Sequence, residues 1–165
     1  MSYTGISDIN TACEDLINEL LGTTGSTSKM LEDIFGQKLK VDVISQERIM
    51  QDGRLLLRRT SRLFLKSPEL SLMYCISTFP LEGLQDTELG DLEAGIKPIG
   101  IIFGVNNIYK TGISVEQADD SAAAEWLNSS NKKFFHKEFT IHVPERKIGV
   151  ITEVFNKESI LRIWS

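Results

Sequence analysis

Two cysteines and two histidines among 165 residues leave little material for metal or redox chemistry. Cys13 and Cys75 lie far apart and form no C-x-x-C pair. Each sits in an apolar pattern, Ala12-Cys13…Leu16 and Tyr74-Cys75-Ile76, which points to reduced, buried thiols. His136 and His142 make neither H-x-x-x-H nor H-E-x-x-H, so zinc catalysis has almost no support. The glycines at 95, 100 and 104 do not build G-x-x-x-x-G-K-S/T, and no G-x-G-x-x-G follows a strand, which removes nucleotide binding. No apolar run approaches the ~18 residues a membrane span needs. The opening MSYTGISDIN has no basic n-region and no apolar h-region, so no secretory signal is read and a cytoplasmic location is expected. Eighteen Lys+Arg against 23 Asp+Glu leave a formal charge of −5 with the cations scattered, a poor basis for holding a phosphate backbone. Neither nucleic acid nor membrane is an expected partner.

What is present is ordinary globular material, 41% hydrophobic and 25% charged, of a length that suits one domain over 1–165. From about Asp8 to Leu21, Ile9, Ala12, Cys13, Leu16, Ile17, Leu20 and Leu21 fall at helical spacing, with Ser7 or Asp8 as N-cap. Gly22 to Ser26 stops this helix, and Ser26 or Thr27 caps a shorter one that ends at Gly36. Period-two alternation then takes over at Leu39, Val41 and Val43. Asp52-Gly53 is a turn signal. Arg54 to Lys66 and Leu70 to Phe79, joined by Ser67-Pro68-Glu69, read as a hairpin closed by Pro80. Residues 81–104 return to helical spacing, broken at Gly95-Ile96-Lys97-Pro98, with Pro98 suited to a first helical turn. Further strands are expected at 108–117, 133–143 and 147–155, the last two joined by Pro144-Glu145-Arg146. Ala118 to Leu127 reads as a loop or one helical turn. The order α-α-β-β-β-α-α-β-β-β implies an α+β domain: an antiparallel sheet of about six strands, with helices and flaps on one side.

Two features rise above this background. Arg54, Arg58, Arg59, Arg62 and Lys66 interleave with Leu55-Leu56-Leu57 and Leu63-Phe64-Leu65. Surface placement is the ordinary role of strand cations, but an arginine on the buried face needs an anion to offset its desolvation, and a bound carboxylate is the simplest one. Glu153, inside Val150-Ile151-Thr152-Glu153-Val154-Phe155, is either on the solvent face or a buried acid with a possible part in proton transfer. Asp119-Asp120 reads as solvated surface. His136 and His142, an even number of residues apart on one strand, share a face and read as surface groups.

The order of several short motifs resembles the chorismate pyruvate-lyase family, whose fold is shared with the ligand-sensing domains of a class of bacterial transcription regulators. The matching stretches are Gly25-Ser26-Thr27-Ser28-Lys29, the hairpin Arg62-Leu63-Phe64-Leu65…Tyr74-Cys75-Ile76-Ser77-Thr78-Phe79-Pro80, Lys97-Pro98-Ile99-Gly100, Tyr109-Lys110-Thr111, and Gly149-Val150-Ile151-Thr152-Glu153-Val154-Phe155. They cover about residues 25 to 156, and the likeness is to the compact members of cyanobacteria, plastids and archaea. A plastid stroma would replace the cytoplasm for a plastid-encoded member. The resemblance implies a cofactor-independent lyase that converts chorismate to 4-hydroxybenzoate and pyruvate in a pocket covered by flaps, as a monomer or weak homodimer. It also implies that Glu153 hydrogen-bonds the hydroxyl of the bound ring, and that Ile99 lines the pocket and offers its backbone.

The family's carboxylate-binding arginine falls on the first hairpin strand. Aligned back from Pro80 without a gap, the position is Ser61; shortened by one residue at Ser67-Pro68-Glu69, it is Arg62. A one-residue change of register reverses the face. Arg62 is the favoured candidate, and Arg59, on the face of Ser61, is its substitute. Thr27 stands where some members carry a flap methionine. Lys110 and Lys137 stand where arginines are usual, keeping the charge without the bidentate fork. The alternative function is a non-catalytic binding domain of the same fold.

Overall fold

The structure is a computed structural model that describes residues 6–164, with side chains from Ile9 onward. Helix α1 (Ile6–Gly22) begins before the expected Asp8, so Ser7 and Asp8 fall within the helical run; their side chains lie outside the described ones. Helix α2 (Thr27–Phe35) starts where its sequence cap stands. The Ser26 hydroxyl accepts from the Lys29 N–H at 3.2 Å, and Gly36 closes the helix at φ 66°.

Strand β1 (Lys40–Gln51) runs well past the alternating Leu39–Val43 signal. It is an edge strand, exposed on much of both faces, so its later half carries no period. Asp52 (φ 52°) and Gly53 (φ 75°) make the tight turn into β2 (Arg54–Phe64). After a short 3-10 turn comes β3 (Ser71–Pro80). Helix α3 (Asp86–Ala94) opens with the Gln85 N–H donating to Glu88 Oε1 at 2.8 Å. Helix α4 (Ile99–Phe103) follows with Pro98 as its cap residue, one position outside the first turn. Strands β4 (Tyr109–Asp119), β5 (Lys133–Val143) and β6 (Arg146–Phe155) complete the sheet. Ser121–Trp126 forms a short helix α5, and Lys157–Trp164 forms α6, which the sequence reading did not include.

The six strands are antiparallel in the order β1-β2-β3-β6-β5-β4. After β3 the chain crosses through α3 and α4 to the far edge, then returns inward so that β6 pairs with β3. The sheet is thus two three-stranded meanders joined at one seam. At that seam a Cβ on Gly149 would stand 2.3 Å from the Thr78 carbonyl oxygen, so only glycine permits this approach.

One face carries the larger core. Leu63, Cys75 and Phe155 pack with Cys13, Leu16, Leu20, Leu31 and Ile160 from α1, α2 and α6. Farther along the same face, Leu57, Phe79, Phe139 and Ile151 pack with Leu92 and Phe103 from α3 and α4. The second face is partly covered as well: Tyr74, Phe134 and Val154 pack against Ala123 and Leu127 at α5.

Candidate ligand cavity

Between the two parts of the larger core lies a narrow cavity with about 470 Å³ of atom-free space, its mouth included. The sheet supplies the floor. Cross-strand pairing sets Ser61, Cys75, Glu153 and Lys137 in one row, and Arg59, Ser77, Ile151 and Phe139 in the next. The roof is the first turn of α2 with the first turn of α4. These turns meet closely, since a Cβ on Gly100 would lie 2.6 Å from Ser26 Oγ. The opening N–H groups of a helix have no partner four residues back, so Thr27 and Ser28 bring main-chain donors and the positive end of a dipole to the cavity.

Arg59 lines this cavity and is 0% exposed. Its Nη2 donates to the Lys97 carbonyl at 3.3 Å, while Nε and Nη1 have no hydrogen-bond partner among the described residues. Burial pushes the guanidinium below its ordinary pKa, opposed by Cys75. A buried guanidinium with two unused donor atoms is costly unless something else accepts from them.

Glu153 lines the same cavity, 6% exposed, and its Oε1 also lacks a hydrogen bond among the described residues. Of the two readings open in the sequence, the fold selects the buried acid. Lys110 Nζ stands 3.7 Å from Oε1, donates to Thr27 Oγ1 at 2.6 Å, and lies 4.5 Å from the centre of the Phe139 ring. Cys75 is the cross-strand neighbour of Glu153, its thiol raised by burial first and by Glu153 next. Two cations against one acid leave the lining with an excess of positive charge, enclosed mainly by Ile, Leu, Val and Phe side chains. The arrangement suits a small anion with an apolar body.

Thr27, Ile99, Lys110, Arg59 and Glu153 are thus brought together, and two expected residues are not. Arg62 points to the opposite face, where Nε donates to Asp42 Oδ2 at 2.7 Å and Nη1 to the Trp126 carbonyl at 2.9 Å. The preferred one-residue shortening of the hairpin is therefore wrong for the face. Ser61 and Arg59 lie on the cavity side, and the irregularity in β2–β3 pairing falls later, between Leu63 and Phe64. Lys137 lies on the same face but outside the lining, donating to the Leu20 and Thr23 carbonyls at 2.7 and 2.6 Å.

The lining residues not named as site candidates include Ser26, Ser28, Cys75 and Phe139, and Ser61, the gap-free position on β2, joins them. The signal for Cys75 and Ser61 was their cross-strand register with Glu153, which needs the strand order. Asp120 is also not free surface: it caps α5 through Ala123 N–H, accepts from Tyr74 Oη, and bonds His136 Nε2, each at 2.9 Å. His142 stacks on Tyr109 and lies 2.8 Å from Thr111 Oγ1. Among the described residues no group of three or more His, Cys, Asp or Glu is placed to hold a metal ion.

No family model matches the chain. It is 25% identical over 152 residues to a protein of Methanocaldococcus jannaschii named "Putative lyase MJ0807", covering 85% of this chain and 79% of that one. Among solved structures it is similar to PhnF from Mycobacterium smegmatis, with TM-score 0.65, 11% identity, and coverage of 84% of this chain and 67% of that chain. The effector domain of PhnF matches with TM-score 0.63 and 11% identity, covering 81% and 90%. The "ligand-binding domain of a putative GntR-family transcriptional regulator" from Bordetella bronchiseptica matches with TM-score 0.56 and 9% identity, covering 72% and 84%. At these identities the likeness shows the fold: the α+β, six-stranded antiparallel architecture of chorismate lyase-like domains.

Proposed function

We propose that the cavity binds a small aromatic carboxylate and that the protein is a lyase splitting chorismate into 4-hydroxybenzoate and pyruvate. The observation that carries this reading is the pairing, in one apolar cavity, of Arg59 with two unused donor atoms and Glu153 with an unused oxygen. A ring carboxylate would accept from Arg59 and from the N–H groups opening α2. The ring hydroxyl would meet Glu153, and the phenyl face of Phe139 would pack against the ring. In the reaction the ether C–O bond breaks, the ring loses a proton and becomes aromatic, and enolpyruvate takes up a proton to become pyruvate. Aromatisation supplies the driving force. The protein's part is orientation, exclusion of water, and stabilisation of charge on the departing enolpyruvate by Lys110.

The test is to mix purified protein with chorismate and follow both products. Pyruvate and 4-hydroxybenzoate should appear in equal amounts above the spontaneous rate, and Glu153→Gln should lower turnover by about 100-fold with an unchanged melting temperature. No pyruvate above background would sink the enzyme reading.

A second reading, a non-catalytic binding domain, is favoured by the likeness to the PhnF effector domain and the Bordetella ligand-binding domain. It expects 4-hydroxybenzoate or a similar anion to bind in the cavity and chorismate to be left intact.

A further inference from the structure

Lys137 is 0% exposed, yet no carboxylate stands within ion-pair distance of it among the described residues. Its Nζ instead meets the main-chain oxygens of Leu20 and Thr23, at the end of α1 and in the loop beyond it. That loop leads directly into the cavity roof at Ser26, Thr27 and Ser28. Lys110 ties the same stretch twice more, its N–H donating to the Thr24 carbonyl at 3.0 Å and its Nζ to Thr27 Oγ1 at 2.6 Å. Both ammonium groups lie against one ring, 4.5 Å (Lys110) and 5.8 Å (Lys137) from the centre of Phe139. The negative end of the α1 dipole compensates the Lys137 charge only in part.

We infer that Lys137 is a positioning residue, a latch that holds residues 22–28 down over the cavity and tightens when an anion binds beside Arg59 and Lys110. This rests on the reading of the cavity as an anion site. A bound carboxylate supplies the counter-charge that Lys137 lacks, and charges interact strongly in a water-poor interior. Ligand and latch therefore favour each other, and the coupling is reciprocal.

The linkage has a sign. Burial first, then the charge of Lys110 on β4, hold the Lys137 ammonium down to about 8, with Glu153 on β6 opposing. A bound anion pushes it back up. Binding above about pH 8 therefore takes up a proton, and affinity falls as pH rises through that range.

The first measurement needs no ligand: amide hydrogen exchange in the wild type, Lys137→Met and Lys137→Gln. Exchange over 22–28 should quicken by about tenfold or more in Lys137→Met while β2, β3 and β6 keep their protection, and Lys137→Gln, which retains an N–H donor, should fall between. Calorimetry with benzoate, whose single ionisable group is a carboxylate already charged, in buffers of different ionisation heat, should show proton uptake at pH 9 in the wild type. Lys137→Met should show none and should bind about tenfold more weakly through faster dissociation. In turnover, KM should rise about tenfold with kcat within about twofold, a split that general loss of structure would not produce.

Unchanged exchange over 22–28 in both variants overturns the latch, and proton uptake that persists in Lys137→Met overturns its coupling to the ligand. If the exchange result holds but the wild type binds neither benzoate nor 4-hydroxybenzoate, the aromatic-carboxylate reading falls while the latch stands. Should Lys137→Met fail to fold, Lys137→Gln decides the same comparison.

Discussion

Arg59 and Arg62 lie three residues apart on one strand, and the sheet separates them completely. Arg62 is satisfied by the protein itself, with Asp42, the Trp126 carbonyl and the Trp126 ring around its guanidinium. Arg59 is more deeply buried and less satisfied, with one carbonyl and two unused nitrogens. The same contrast divides the acids. Asp120 on the outer face holds three hydrogen-bond partners and is kept below its ordinary pKa by the Ala123 N–H, His136 and Tyr74, against the opposite pull of burial. Glu153 on the inner face keeps one oxygen unused. Buried charge whose hydrogen bonds are met within the protein holds a structure together, whereas buried charge with hydrogen-bonding atoms left unused points to a ligand.

The comparison can be broken most heavily at the seam both faces share. Gly149→Ala should cost about 3 kcal/mol or prevent folding, because its Cβ would meet the Thr78 carbonyl 2.3 Å away; denaturant melts measure this. Arg59→Met should lower affinity for 4-hydroxybenzoate at least about 100-fold by calorimetry, with a melting temperature unchanged or raised, since an underpaired buried charge is removed. Arg62→Met should do the opposite, leaving affinity within about twofold and costing about 1 kcal/mol of stability for a partly exposed ion pair and its carbonyl contact. The smallest effect is on pH dependence. Lys137 titrates near 8 in the fold and at 10.5 when unfolded, so between these values the unfolded chain holds the extra proton. Its contribution to stability should therefore rise from about pH 8 to 10.5 and be lost as pH falls through 8, and Lys137→Met should flatten the difference between melts at pH 7.5 and 10.

Local signals in the chain were strong wherever one residue type met one backbone requirement. Ser26 and Gly36 bracket α2, Asp52-Gly53 turns β1 into β2, and Gly95 ends α3, all as their chemistry dictates. Signals were weak where exposure removes the pattern, as in the later half of β1, and in α6, whose apolar face has meaning only against α1 and β3. In the site, Glu153, Thr27, Ile99 and Lys110 were legible from short motifs. The arginine was not, because choosing between Arg59 and Arg62 means knowing where the hairpin irregularity falls, and Ser67-Pro68-Glu69 does not tell. Asp120 read as surface because its partners, Tyr74 and His136, are far along the chain and reach it only across the sheet.

The scarcity of cysteine and histidine pointed, before any fold was known, to carboxylates, lysines and arginines as the candidate site residues. Alternation and turn residues likewise determined an antiparallel α+β sheet. Which charges face inward, which of them find partners and which do not was decided only in three dimensions. Pairing partners lie tens of residues apart, and a single step of register exchanges the face of every side chain on a strand. The cavity exists because that register turns Arg59, Ser61, Cys75 and Glu153 to one side, and because a glycine at 149 lets the two halves of the sheet close together.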